Sequence, residues 1–174
     1  MKNIEEEKIK KYIKKLSKAT LMDDLIFRQV CKNVGAVEEI LRTVLDDRKL
    51  KVIECIDQRN KSSALYHGVV LDCECRLKTK EIVNVEVQIA LDDNPEYRMR
   101  YNQSVITIEN SPKSKEFKYK EIPKIISIMF CDFDIFKKNE VMYEITRIVN
   151  KDKKIVSDNG IREIYINSNG TTKN

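Results

Sequence analysis

The chain has 174 residues, of which 41% are hydrophobic and 35% are charged. This size and balance are typical of one globular domain, and only 4 Gly and 3 Pro argue against a fibrous or low-complexity chain. No apolar run approaches the roughly 18 residues that a membrane span needs. Residues 1–18 alternate acidic and basic side chains and lack the apolar core of a secretory signal, so we expect a cytoplasmic protein.

The net charge and the cysteine content exclude fewer classes of function than the length and composition do. A net charge of +5 is consistent with a polyanionic partner and does not identify one. With an odd number of cysteines and no export signal, we expect reduced, mostly buried thiols. The five are Cys31, Cys55, Cys73, Cys75 and Cys131. Because His67 is the only histidine, these residues do not make a convincing zinc quartet by spacing.

Hydrophobic periodicity predicts the elements in chain order. Apolar residues at helical spacing predict a basic amphipathic helix, a short helix or turn, and two further helices, over residues 4–18, 25–30, 36–45 and 96–108. Apolar runs and alternation predict six strands, over residues 50–56, 69–77, 82–89, 125–130, 141–149 and 161–166. Polar stretches predict loops over residues 57–63, 110–120 and 150–154.

This order of elements predicts a single α/β domain with a mixed β-sheet flanked by helices. The domain should span residues 20–168. The amphipathic helix within residues 1–19 precedes it, and residues 169–174 form a frayed tail.

Two neighbouring strands, joined in a hairpin across residues 78–81, each alternate polar and apolar side chains. One face of the hairpin carries Asp72, Glu74, Arg76, Asn84, Glu86 and Gln88. The other face carries Leu71, Cys73, Cys75, Leu77, Val83, Val85, Val87 and Ile89. In one register Asp72 lies opposite Glu86; in another Asp72 lies opposite Gln88, and Glu74 opposite Glu86.

Facing carboxylates in such a hairpin favour a bound cation. Opposed Cβ atoms are about 4.5–5.5 Å apart, and two carboxylates at that distance repel unless a positive group lies between them. A hard divalent cation such as Mg²⁺ takes oxygen ligands and polarises phosphoryl oxygens. The alternative is a hairpin with one solvent-facing side, on which Arg76 and Lys80 neutralise the acids as surface pairs.

Asp72 and the later Glu86-Val87-Gln88 resemble the D…E-x-Q form of the PD-(D/E)XK nuclease active site. More specifically, the chain is similar to the PD-(D/E)XK nuclease family transposases, which are related to the recombination-promoting nucleases. The likeness runs through five segments in the same order, residues 21–30, 68–72, 85–88, 98–104 and 126–133. These include Gly-Val-Val-Leu-Asp, Val-Glu-Val-Gln and Arg-Met-Arg-Tyr-Asn-Gln-Ser. The resemblance implies a restriction-endonuclease-like fold.

The resemblance also implies roles for residues. Asp72, Glu86 and the main-chain carbonyl of Val87 would hold Mg²⁺ or Mn²⁺. Gln88 takes a place where the wider fold often has Lys, and an amide can orient water but cannot act as a general base. Glu39 is a candidate outer carboxylate, with Glu38 as its rival.

The helix after the hairpin is the candidate nucleic-acid surface. Arg98, Arg100 and Gln103 lie on it, and Lys113 and Lys115 lie in the basic loop that follows. The arginines could instead form a solvated face or pair with Glu96. Tyr97 and Tyr101 should be core residues rather than base-stacking ones, and His67 a surface or hydrogen-bonded residue.

The sequence therefore predicts a metal-dependent DNA endonuclease linked to transposition or recombination. Its cofactor would be Mg²⁺ or Mn²⁺ and its partner DNA, with no membrane association and with a homo-oligomer as an allowed assembly. The alternative is a catalytically inactive, truncated nuclease-fold module that binds nucleic acid or a protein partner, for example through the hairpin edge.

Overall fold

The computed structural model describes residues 20–63, 66–91, 94–149 and 152–171. Within them the chain forms eight strands. They are β1 (Val52–Ser63), β2 (Tyr66–Leu77), β3 (Ile82–Gln88), β4 (Ile125–Cys131), β5 (Met142–Ile145), β6 (Ile148–Val149), β7 (Asp152–Val156) and β8 (Ile161–Asn167).

Six of the strands form one mixed sheet in the order β1-β2-β3-β4-β8-β5, and β6 and β7 pair separately. The strands β3, β4 and β8 run parallel, whereas β1–β2, β2–β3 and β5–β8 are antiparallel. Both β3 and β4 are almost entirely buried, as expected for parallel strands covered on both faces. The predicted α/β fold with a mixed, helix-flanked sheet is confirmed.

In the part of the chain that the structure describes, three helices flank the sheet: α1 (Asp24–Cys31), α2 (Val34–Val44) and α3 (Pro95–Asn110). The Asn33 side chain caps α2 and that of Asn94 caps α3, with Pro95 in the first turn. A 3-10 turn covers Tyr119–Glu121. The helix predicted for residues 4–18 lies outside the described residues, and no helix within them is long and apolar enough to cross a membrane.

The two faces of the sheet differ in chemistry. Helices α1 and α2 cover an apolar face, where Phe27, Val37 and Leu41 pack against strand residues that include Val83 and Val85. Helix α3 covers the other face, which has two smaller apolar clusters, one with Ile106 and one with Met99, and a layer of buried polar side chains. This layer consists of Lys61, Glu74, Asn84, Glu86, Gln88, Asn102, Gln103 and Ser127.

The loop predicted for residues 57–63 is wrong, because β1 continues through Ser63. The polar sequence is accommodated by a buried ion network. The Lys61 ammonium is 2% exposed and lies 2.8 Å from the Glu74 carboxylate and 2.9 Å from that of Glu109. A lysine is almost never buried unless paired, and this pairing links strands β1 and β2 to helix α3.

Leu71 also departs from the expected pattern. It packs under α3 with Ile106, whereas Cys73 packs on the opposite face of the sheet. The alternation of β2 therefore breaks at Asp72. Across from that point, Gln58 of β1 has φ 47, a left-handed conformation that disturbs the regular ladder.

The C-terminal part differs from prediction in two places. Residues 141–149 contain two strands rather than one, and β7 occupies part of the expected turn at residues 150–154. Of the expected frayed tail, residues 169–171 are hydrogen-bonded: the Asn169 side chain donates to the Asp132 carbonyl and the Thr171 N–H to the Asn139 carbonyl. Residues 172–174 lie outside the described residues.

Replacing Lys61 tests the buried ion network. Lys61→Ala should lower the free energy of unfolding by about 3–5 kcal/mol, because Glu74 is left buried and unpaired. The measurement is urea denaturation at neutral pH. The exposed pair of Lys124 and Asp158 supplies the control, since Lys124→Ala should cost less than about 1 kcal/mol. Similar small losses in both variants would contradict the network's role.

Candidate active site

The hairpin of β2 and β3 adopts the first of the two predicted registers. Cys73 pairs with Val85 and Glu74 with Asn84, so continuing the register puts Asp72 opposite Glu86. The paired ladder ends at Cys73, where the alternation of β2 breaks. Beyond that point the Val87 N–H donates to the Asp72 carboxylate at 3.1 Å. Asp72 therefore lies beside Glu86 at the place where the two strands separate.

Glu86 is a buried carboxyl, 2% exposed, with several polar partners under α3. It accepts hydrogen bonds from the Asn84 side-chain amide at 3.0 Å and the Asn102 amide at 3.3 Å, and the Arg98 guanidinium lies at 2.9 Å. Burial, and then the negative charge of Asp72, raise the pKa of Glu86 to about 7, against the lowering effect of Asn84 and Arg98. The carboxyl is thus poised to change protonation near neutral pH.

Arg98 connects Glu86 to Gln88. One guanidinium nitrogen contacts the Glu86 carboxylate and another donates to the Gln88 side-chain oxygen. The Gln88 amide nitrogen in turn donates to the Ala90 carbonyl at 2.8 Å. Arg98 therefore pairs with Glu86 and not with Glu96, the partner that the alternative prediction gave it. Arg98 supplies positive charge next to the two carboxyls, which lowers their mutual repulsion.

The residues at this point fit a hard divalent cation. Asp72 and Glu86 offer carboxylate oxygens from two adjacent strands, and the Val87 N–H, next in the chain after Glu86, donates to Asp72. Oxygen ligands of this kind are those that Mg²⁺ and Mn²⁺ prefer. After burial, the negative charge of Asp72 is the second cause of the raised pKa of Glu86, and a cation between the two carboxyls would offset it.

Neither candidate outer carboxylate reaches this site. Glu39 is 63% exposed and pairs with Arg42, while Glu38 accepts the Val52 N–H at 2.9 Å and also pairs with Arg42. Val52 pairs with Leu77, five residues or about 16 Å along β2 from Asp72. Helix α2 also packs on the opposite face of the sheet. The expectation that Glu39 or Glu38 joins the metal site is therefore not met.

The residues predicted to bind nucleic acid separate into two groups. Gln103 is buried and donates to the Ser127 hydroxyl at 3.1 Å, so its amide is part of the core rather than the surface. By contrast Arg100 is exposed and lies 4.8 Å from the centre of the Tyr97 ring. Lys113 and Lys115 are exposed in the loop after α3.

The prediction that two tyrosines of α3 are core residues is wrong. Tyr97 is 62% exposed and Tyr101 is 39% exposed. The Tyr101 hydroxyl donates to the His67 carbonyl at 2.8 Å, and the His67 side chain is at the surface, as expected. Together with Arg100, these rings form an exposed edge of α3.

Sequence reasoning missed Asn84 and Asn102 as partners of Glu86. The signal for Asn102 was present, because it lies one helical turn after Arg98 and therefore on the same side of α3. Asn84 shares the polar face of β3 with Glu86 and lies two residues before it.

The raised pKa of Glu86 predicts a specific pH dependence of stability. Because the folded pKa lies above the ordinary value of 4.5, the stability that Glu86 confers is present below pH 4.5 and lost as the pH rises through 7. In EDTA, the free energy of unfolding of the parent relative to Glu86→Gln should fall by about 3 kcal/mol between pH 4 and pH 8. Urea denaturation at several pH values measures this difference.

Glu38→Gln is the matched control, since backbone and side-chain hydrogen bonds lower the pKa of Glu38. Its contribution should have the opposite sign, being present above pH 4.5 and lost on acidification. If the difference in free energy of unfolding between the parent and Glu86→Gln did not change with pH, the raised pKa of Glu86 would be contradicted.

Comparison with known proteins agrees with the fold and the sequence motifs. The family model of the PD-(D/E)XK nuclease family transposases matches residues 22–173. No curated protein and no solved structure shows a significant match to the chain. The nucleases of this group generally use divalent metals, and the family supports a nuclease-type function with DNA as substrate. The chain belongs to the PD-(D/E)XK nuclease family transposases.

Proposed function

We propose that this protein is a metal-dependent DNA endonuclease that hydrolyses phosphodiester bonds during transposition or recombination. The observation that carries the proposal is the position of Asp72 beside Glu86 where β2 and β3 separate. The facing carboxyls, one of them fully buried, are hard to explain as an ordinary solvent-facing hairpin. Membership of a nuclease family supports the same activity.

Asp72, Glu86 and the main-chain carbonyl of Val87 would hold Mg²⁺ or Mn²⁺. When bound, such an ion polarises a phosphoryl oxygen and lowers the pKa of a coordinated water. Asp72 is oriented for this role by the Val87 N–H, and Glu86 by the amides of Asn84 and Asn102. These contacts fix both carboxyls before substrate arrives, which lowers the cost of assembling the site.

Gln88 and Arg98 position the rest of the reaction centre. Gln88 is held by Arg98 on one side and Ala90 on the other, so its amide can orient a water or a phosphate oxygen. It stays uncharged at every pH and does not abstract the proton. Arg98 contacts the side chains of both Glu86 and Gln88 and so fixes them relative to each other. It also adds positive charge near the scissile phosphate.

The DNA backbone would contact exposed cations outside this centre. Arg100 projects from α3, and Lys113 and Lys115 lie in the loop that follows it. Cations of this kind bind phosphates without reading the bases, so they position the duplex rather than select a sequence. Buried Gln103 is not assigned to this surface.

Cleavage of supercoiled plasmid tests the proposed activity. The parent should nick the plasmid with Mg²⁺ or Mn²⁺ and not with EDTA, and Asp72→Asn and Glu86→Gln should each lower the rate by about 100-fold or more. Both variants keep the size of the side chain and remove the charge that would hold the ion. Product bands are followed on agarose gels.

Glu39→Gln is the matched carboxylate control and should cut at the parental rate, because Glu39 is exposed on the far face of the sheet. Absence of metal-dependent cutting by the parent, or equal cutting by Asp72→Asn, would contradict the proposal. Absence of cutting together with salt-sensitive DNA binding would instead support the inactive binding module.

Salt dependence of DNA binding tests the proposed phosphate contacts. Lys113→Ala and Lys115→Ala combined should weaken binding of duplex DNA regardless of sequence, and should reduce the slope of log K against log[salt] by about 2. Fluorescence anisotropy with Ca²⁺ in place of Mg²⁺ measures this slope. Lys124→Ala, an exposed lysine paired with Asp158, is the control and should leave the slope unchanged. An unaltered slope in the double variant would show that this loop does not contact the DNA phosphates.

A further inference from the structure

Four of the five cysteines meet on the opposite face of the sheet from Glu86. Cys55 and Cys75 are direct partners across β1 and β2, with their sulfur atoms 2.9 Å apart. The sulfur of Cys73 lies 3.6 Å from that of Cys75, and the three sulfurs all fall within 4.8 Å of one another. Cys31, at the end of α1, is buried in the same core cluster as Cys73 and Cys75.

The separations between these sulfurs are those of a cluster that one metal ion can draw together. In a tetrahedral site with Zn–S bonds of about 2.3 Å, the sulfurs are about 3.8 Å apart. The Cys73–Cys75 separation of 3.6 Å is close to that distance, the Cys55–Cys75 separation of 2.9 Å is shorter, and no two of the three sulfurs are more than 4.8 Å apart.

The ligand type distinguishes this cluster from the carboxylate site. Thiolates favour Zn²⁺ over Mg²⁺ or Mn²⁺, which prefer oxygen. The three thiols come from neighbouring positions of two paired strands, so an ion could take three sulfur ligands without a histidine. Cys55 is half-buried while the other two are buried, and this leaves one side by which an ion can enter.

We propose that Cys55, Cys73 and Cys75 bind one Zn²⁺ ion. The ion ties β1 to β2 immediately behind Asp72, since Cys73 follows Asp72 in the same strand. Its role is structural, because it lies among the apolar core residues on the face of the sheet opposite Glu86. The site is separate from the proposed nuclease centre and does not depend on it.

Co²⁺ binding to the full, reduced chain is the direct test, because Co²⁺ occupies tetrahedral thiolate sites and is coloured there. The parent, kept reduced with a phosphine, should bind one equivalent of Co²⁺ with tetrahedral ligand-field bands and a thiolate-to-metal charge-transfer band. Adding Zn²⁺ should abolish these bands, whereas Mg²⁺ in excess should not. Zn²⁺ should also raise the unfolding midpoint of the parent.

Single variants identify the ligands. Cys73→Ala and Cys75→Ala should lose the charge-transfer band, while Cys131→Ala should keep it, because Cys131 is buried in a different cluster with Met99 and Tyr165. Asp72→Asn should also keep the band, which separates this site from the carboxylate site. The Co²⁺ titration of the parent remains a test of the site even if a cysteine variant fails to fold.

Three results would overturn the proposal. The first is a reduced parent that gives no charge-transfer band and whose unfolding midpoint does not change with Zn²⁺. The second is a band lost in Cys131→Ala and kept in Cys75→Ala. The third is a disulfide between Cys55 and Cys75 in protein purified without reductant, found by peptide mapping, together with no Zn²⁺ binding after reduction.

Discussion

The buried carboxyl of Glu86, next to a second carboxyl and an arginine, is the interaction on which the rest of the site depends. Burial and the charge of Asp72 raise its pKa to about 7, the contacts from Asn84 and Arg98 limit that rise, and Asn102 donates a further hydrogen bond. Two of these contacts come from α3, so the helix must lie over β3 in one orientation. A buried carboxyl without such partners would not stay in place.

This requirement explains the asymmetry of the sheet. The face under α3 carries a polar layer in which Lys61, Glu74 and Gln103 also find partners, and its two apolar clusters are smaller than the one on the opposite face. The face under α1 and α2 carries most of the apolar core and the cysteine cluster. Strand β2 takes part in both, and Asp72 lies where its alternation changes face. The proposed chemistry is thus confined to one side of the sheet, whereas buried contacts on both sides stabilise the fold.

The parts of the fold that depend on local pattern could be predicted from sequence. Alternation in β2 and β3 predicted the hairpin, and the observed register was one of the two that this pattern allowed. Apolar residues at helical spacing over residues 96–108 predicted α3. Each of these features depends on residues close together in the chain, where spacing alone decides which side chains share a face.

The features that sequence missed depend on distant partners. The polar end of β1 is a strand because Lys61 finds Glu74 and Glu109, which no local pattern shows. Gln103 is buried because Ser127 accepts its hydrogen bond. The cysteines meet although their spacing in the sequence predicts no metal quartet, since the pairing of β1 with β2 brings Cys55 to Cys75.

Calorimetric titration of the parent with Mg²⁺ tests the central claim most directly, because Mg²⁺ avoids thiolates and reports on the carboxylates alone. Near pH 7, in buffers of different ionisation enthalpy, binding should release about half a proton as Glu86 loses its proton. The account predicts that this release disappears in Glu86→Gln and that binding is lost in Asp72→Asn. Parental Mg²⁺ affinity in Asp72→Asn, or no binding by the parent, would contradict it.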